Sequence, residues 1–212
     1  MSSTNRGSDR REHEADYYVT PKEPVRQVLE WMDGNWCLKG HLSKEFRRVL
    51  DPAAGGNPET MTMKDWGMPY PEVLEEFGIS NVDTMDIRRD SKALMKGVNF
   101  IEKDFRGSPK YDLVITNPPF NLAEDFIRKG WDILKYGGVM IMLLRLNFLG
   151  GLKRKALFDE MMPQWIFVHR KRICFTENMK YLRRQTDSIE YAHFLWHKMD
   201  VSRNQPAQLI IL

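Results

Sequence analysis

Apolar residues recur along the chain with two periods, and the switching between them predicts the fold. Val25, Val28, Leu29 and Met32 repeat at helical spacing from Lys22 to Met32, with Pro21 or Pro24 near the first turn. Tyr111 to Thr116 and Val139 to Leu144 are short apolar runs instead, the pattern of strands covered on both faces. Further strands are expected at Arg47–Asp51, Asn81–Asp86, Val98–Ile101, Trp165–Val168 and Glu190–Trp196, and helices near Pro71–Phe77, Leu122–Leu134 and Lys155–Met162. Strands alternating with helices predict an α/β domain built on a mostly parallel, doubly wound sheet.

At 212 residues the chain buries one good core rather than two. Residues 1–16 are polar and charged and read as a disordered leader, 17–200 as a single domain, and 201–212 as a C-terminal tail. The leader lacks the apolar stretch of a signal peptide, and no apolar run approaches a membrane span, so neither targeting nor a membrane partner is expected. Cys37 and Cys174 form no CxxC or His/Cys cluster, which excludes a zinc motif and makes a reducing cytoplasm the default. His169, His193 and His197 show no ligand spacing and read as structural or surface residues, so no metal is expected.

Charge adds an asymmetry hidden in the net value of +3. Residues 51–140 carry 11 Lys and Arg against 15 Asp and Glu, whereas residues 141–212 carry 12 against 6. An acidic centre suits a cationic ligand, and a basic end suits a polyanion.

The candidate chemistry sits where the expected strands stop. Asp51, Asp86, Asp104 and Asn117 each close one, so helices on both faces would gather all four around one crevice. Carboxylates there can accept hydrogen bonds from an amine and a ribose diol. Asn117-Pro118-Pro119-Phe120 adds a ledge: two prolines fix φ and donate nothing, leaving an amide, a free carbonyl and a ring to face a small planar substrate.

The tetrapeptide resembles the catalytic Asn-Pro-Pro-Phe/Tyr motif of S-adenosylmethionine (SAM) dependent amino-methyltransferases, especially the N6-adenine enzymes. Asp51-Pro52-Ala53-Ala54-Gly55-Gly56 resembles their Gly-rich loop, although Asn57 stands where the family has its last glycine. Tyr18-Val19-Thr20-Pro21 resembles the N-terminal element that closes over the methionine end. The resemblance covers roughly residues 17–196. Small phage and bacterial DNA adenine methyltransferases are closer still, sharing Met68–Leu74, Leu143–Phe148 and Asp187–Tyr191.

This resemblance implies a seven-stranded Rossmann-like methyltransferase sheet and SAM as cofactor. It implies that Asn117, Pro118, Pro119 and Phe120 are catalytic. Cofactor contacts would come from Tyr18, Thr20, Pro21, Asp51, Pro52, Ala53, Gly55, Asp86, Ile87, Asp104, Phe105 and Asn117. The implied reaction is methyl transfer to the adenine N6 of duplex DNA, with the base flipped out onto the ledge, in a bacterial or phage-infected cell.

Basic residues with interleaved aromatics extend that reading to the polyanion. Arg145, Lys153, Arg154, Lys155, Arg172, Arg183 and Arg184 are the expected nucleic-acid contacts, with Phe175 as a wall for the flipped base. Trp165 and Phe167 read as core strand residues. Loops 57–69, 145–156 and 173–186 are the expected recognition elements, since no second domain is available. The same ledge serves enzymes acting on structured RNA or on a protein glutamine, and a non-catalytic binding module is a further alternative.

Overall fold

Helix α1 (Lys22–Asn35) forms where its apolar residues recur at i, i+3, i+4 and i+7, and Val25, Val28, Leu29 and Met32 are all buried. It packs beside α3 (Pro69–Glu76), whose two prolines fall in the first turn, where their missing amide hydrogens cost nothing. The Arg26 guanidinium joins the two helices by donating to both carboxylate oxygens of Glu76, at 2.7 and 2.9 Å. A four-residue helix, α2 (Leu42–Glu45), leads into the sheet. The computed structural model describes residues 19–35, 41–56, 67–173, 175, 189–199 and 206–212.

The strands are β1 (Val49–Asp51), β2 (Val82–Asp86), β3 (Met95–Lys96), β4 (Tyr111–Thr116), β5 (Leu134–Arg145), β6 (Trp165–Val168), β7 (Tyr191–His197) and β8 (Gln208–Ile211). They lie in the order β3-β2-β1-β4-β5-β7-β6-β8. All pairings are parallel except those of β7, which runs antiparallel to β5 and β6. Helices α4 (Ala123–Ile133) and α5 (Lys155–Glu160) complete the set.

Strand alternation sorts the core into two layers. Val49, Leu113, Ile115, Val139, Ile141 and Leu195 pack on α1 and α3. Leu50, Val114, Met140, Met142, Phe194 and Trp196 point the other way, towards α4 and α5. Each side chain fully withdrawn from water contributes about 1.5–3 kcal/mol, so the two apolar layers dominate the driving force. The doubly wound sheet expected from the pattern is therefore present, with Phe167 fully buried and Trp165 packed at the margin of the core.

Three expectations need correction. Val98–Ile101 is not a strand; β3 comes earlier and is two residues long. Gly97 at φ +65° ends it, and the Asn99 side chain then accepts the Ile101 amide at 3.1 Å, giving the backbone a turn in place of a ladder. The expected C-terminal tail instead supplies β8, whose Leu209 and Ile211 remain about half exposed at the sheet edge. The sheet consequently has eight strands rather than seven.

At the amino end of the sheet, one carboxylate aligns the two central strands. Asp112 of β4 accepts the backbone amides of Arg47 and Arg48 at 2.8 and 2.7 Å, and it pairs with Lys135 at the start of β5. Asp112→Ala would leave both amides without that acceptor, and loss of charged hydrogen bonds of this kind costs about 1.5–3 kcal/mol. The expected outcome is a lower urea midpoint with an unchanged slope, while Asp112→Asn loses less.

Candidate functional site

The carboxyl ends of β1, β2 and β4 open onto a crevice of about 800 Å³. Its walls come from Pro52–Ala54 after β1, Asp86–Arg88 at the end of β2, Val98–Glu102, and Asn117–Ala123 after β4. Parallel strands wound on both faces place their loops on this edge, where open α/β sheets bind ligands.

The Gly-rich loop is tied to the end of β2. Ala54 donates to the Met85 carbonyl at 2.9 Å, Gly55 donates to Asp86 Oδ2 at 2.8 Å, and Lys92 donates to the Gly55 carbonyl at 3.1 Å. Gly55 and Gly56 both have positive φ, and a Cβ on Gly56 would meet the Lys92 side chain at 2.6 Å. Asp86 also accepts the Arg88 amide at 2.7 Å, and burial raises its carboxyl above the usual range. Ile87, although it lines the crevice, stays 46 % exposed, an apolar surface open to an occupant.

Asp51 lies fully buried just behind this loop. Its Oδ1 accepts from the Thr116 hydroxyl at 2.7 Å and from the Ala53 amide at 3.2 Å, while Oδ2 has no partner. Desolvation, reinforced by the Asp86 charge, pushes its carboxyl up to about 7 against those two hydrogen bonds.

At the ledge, Asn117 Nδ2 donates to Thr20 Oγ1 at 3.1 Å, and Asn117 Oδ1 is buried with no partner. One end of the amide is therefore held, and the other is left as an acceptor. Pro118 and Pro119 line the crevice beside it. The Phe120 ring lies 5.0 Å beneath the Arg145 guanidinium and 5.4 Å from Tyr191.

Among the described residues, the structure gathers most of the expected set. Thr20, Pro52, Ala53, Asp86, Ile87, Asn117 and Phe120 meet at the crevice, with Asp51 and Gly55 directly behind. Pro21 directly precedes α1 and lies outside the lining. Asp104 and Phe105 are not brought in. Asp104 is paired with Arg106 on the surface, which keeps its carboxyl below the usual range, and Phe105 packs against Phe100 and Tyr111. Asn99 and Phe100 take that wall instead. The signal for them was available in Asn99, since an Asx turn ends the chain's extended course there.

On the basic side, Arg145 and Arg154 line the mouth, with Arg154 4.5 Å over the Phe148 ring. Lys153 is exposed nearby, Lys155 pairs with Asp159, and Arg172 pairs with Glu190 at 3.0 Å. Phe175 is not an open wall: it is buried edge-on against Tyr191 at 4.9 Å. Tyr18, Asn57, Arg183, Arg184 and most of loops 57–69 and 173–186 lie outside the described residues. No group of His, Cys, Asp and Glu among the described residues has metal-binding geometry, and no described helix is long and apolar enough to cross a membrane.

No family model matches the chain, and no curated protein matches it. Solved structures do. A Listeria monocytogenes protein described as a class I SAM-dependent methyltransferase superposes with a TM-score of 0.60 at 16% identity, over 92% of this chain and 65% of that one. A Pyrococcus horikoshii protein described as an RNA methyltransferase gives 0.57 at 14% identity, over 93% of this chain and 94% of that one. The DrdV–DNA complex gives 0.56 at 13% identity, over 92% of this chain and 27% of that one. The fold is a Rossmann-like sheet, which the chain shares with these solved structures. The chain spans 65% of the length of the Listeria protein.

The buried Asp51 carboxyl makes a testable prediction for the unliganded protein. Its raised pKa means that the native state holds a proton that the unfolded state loses, so stability falls as pH rises from about 4 through about 7. Asp51→Asn stays neutral throughout. The melting temperature of Asp51→Asn relative to the parent is expected to rise across that window, as read by thermal unfolding in matched buffers.

Proposed function

We propose that this protein transfers the methyl group of SAM to the N6 amine of adenine in DNA. One observation carries the reading: the Asn117 amide is held through Nδ2 by Thr20, while Oδ1 is buried without a partner on a residue that lines the crevice together with Pro118 and Phe120. An acceptor so placed fits an amino group, whose lone pair is withdrawn into the adenine ring. Asn117 Oδ1 and the Pro118 carbonyl each accept one N–H, which returns the lone pair to nitrogen and steadies the charge that develops there. No base is needed before attack, because the proton leaves after transfer. Preorganised dipoles and orientation supply the rate.

The remaining walls fit a nucleoside with an amino-acid tail. Asp86 provides acceptors for a ribose diol, and Ile87 and Phe100 provide apolar faces for a base, with the buried Asp51 carboxyl behind them. SAM bound there supplies an electrophilic methyl on a sulfonium. Asn99 and Phe100 replace Asp104 and Phe105 in this assignment.

Arg145 and Arg154 at the mouth, with Lys153 exposed beside them, support a phosphate backbone as partner. The likeness to the DrdV–DNA complex supports DNA, and the likeness to the Pyrococcus protein supports RNA as a second acceptor. Phe120 stacks on the extruded base, an interaction worth about 1–3 kcal/mol.

Incubation with labelled SAM and either duplex DNA or structured RNA, followed by mapping of the modified atom, tests the reading. Label at adenine N6 in DNA is the expected result; label only in RNA or protein rejects DNA. Asn117→Ala is expected to slow single-turnover transfer by about 10²-fold or more with little change in SAM affinity. DNA affinity is expected to fall steeply with added salt in a binding titration, and a flat dependence would remove the basic mouth as the DNA face.

A further inference from the structure

The hydrogen bond that holds Asn117 does not end at Thr20. Thr20 bonds the Tyr70 hydroxyl, Tyr70 Oη lies 3.1 Å from His193 Nε2, and His193 Nδ1 lies 2.7 Å from His169 Nε2. All four side chains are 4 % exposed or less. They come from the segment before α1, from α3, from β7 and from the end of β6. The chain therefore runs from the ledge across the α1 and α3 side of the sheet, through 123 residues of sequence separation between Tyr70 and His193.

The sense set at Asn117 passes from link to link and ends on His169 Nδ1, which carries the last proton and is buried without a partner. Asn117 Nδ2 donates to Thr20, so the Thr20 hydroxyl hydrogen is free to donate to Tyr70, whose own hydrogen then goes to His193 Nε2. His193 must carry its proton on Nδ1, which donates to His169 Nε2. Burial lowers both imidazoles, His169 to about 4 and His193 well below its ordinary value, so both are neutral near pH 7 and each has one donor and one acceptor. An asparagine held by one hydroxyl alone could turn over at the loss of one hydrogen bond. Here the amide turns only if Thr20, Tyr70 and both imidazoles reverse together, including two tautomer changes in a site closed to water. A reversed amide would present two N–H donors to the crevice, the wrong polarity for an amine.

We infer that Tyr70, His193 and His169 are positioning residues that act through Thr20 to keep the Asn117 side-chain oxygen facing the crevice. The inference rests on the methyl-transfer reading for its consequence, and on the hydrogen-bond chain alone for its geometry. A buried polar chain with only a structural role would affect stability, and it would not set the rate of the bound complex.

Three measurements on the protein separate these roles. Nitrogen-15 NMR of the histidine side chains is expected to show neutral His193 with its proton on Nδ1. A proton on Nε2 overturns the inference whatever the activity. Tyr70→Phe and His169→Leu are then expected to slow single-turnover methyl transfer to duplex DNA by about 10-fold or more at saturating SAM. The dissociation constant for SAM, from calorimetry, should stay within about twofold of the parent. His169 touches neither the crevice nor Asn117, so a rate loss from His169→Leu with intact SAM affinity is not expected of a structural residue. Parent-like rates in both variants overturn the inference while Asn117→Ala remains slow. Absence of transfer by the parent to any acceptor removes the methyl-transfer reading, and the tautomer still decides the geometry.

Discussion

The bond from the Thr116 hydroxyl to the Asp51 carboxylate, 2.7 Å long and wholly buried, is the contact on which the site depends. It joins the last residues of two parallel neighbours, β1 and β4, at the edge where both chains leave the sheet. One residue beyond Thr116 stands Asn117, and one beyond Asp51 begins the Gly-rich loop. A buried carboxylate cannot be left without donors, so this pairing fixes the relative height of the two strand ends. Asp112 performs the matching task at the opposite end of β4. Between these two carboxylates the central pair has little freedom to slip.

The arrangement divides labour between core and edge. Both faces of the sheet are covered, so strand interiors are mostly apolar, with His193 of β7 and Thr84 of β2 as buried polar exceptions, and the candidate ligand-binding polar groups collect at the carboxyl ends. Those polar groups are engaged by backbone and side-chain donors, and two of their oxygens are buried without one. Asp86 holds Gly55 and Arg88, Asp51 holds Thr116 and Ala53, and Asn117 holds Thr20, yet Asp51 Oδ2 and Asn117 Oδ1 stay unpartnered.

Much of this was legible in the chain because it is local. The 3.6-residue repeat in α1, the apolar run of β4 and the prolines of the ledge each follow from neighbours in sequence, and all lie where the pattern puts them. Misplaced pieces depended on contacts at a distance. Val98–Ile101 has strand composition, but Asn99 turns the chain once β3 has docked on β2. Residues 208–211 look like a tail until β6 offers a free edge to pair with. Asp104 seemed to close a strand, and it left the crevice when that strand became a turn.

The histidines show the limit most clearly. Nothing in their spacing distinguishes His193 from a surface residue, and its role arises only when β7 inserts beside β5 and faces Tyr70 from α3. Sequence by itself determined which segments become helix or strand and that an amide, two prolines and a ring share one strand end, because short-range sterics and periodicity act within a few residues. Only the tertiary structure decided which acids share the crevice, which basic residues reach its mouth and which way the Asn117 amide is held. Those outcomes rest on hydrogen bonds between segments tens of residues apart, whose geometry exists only after the sheet has assembled.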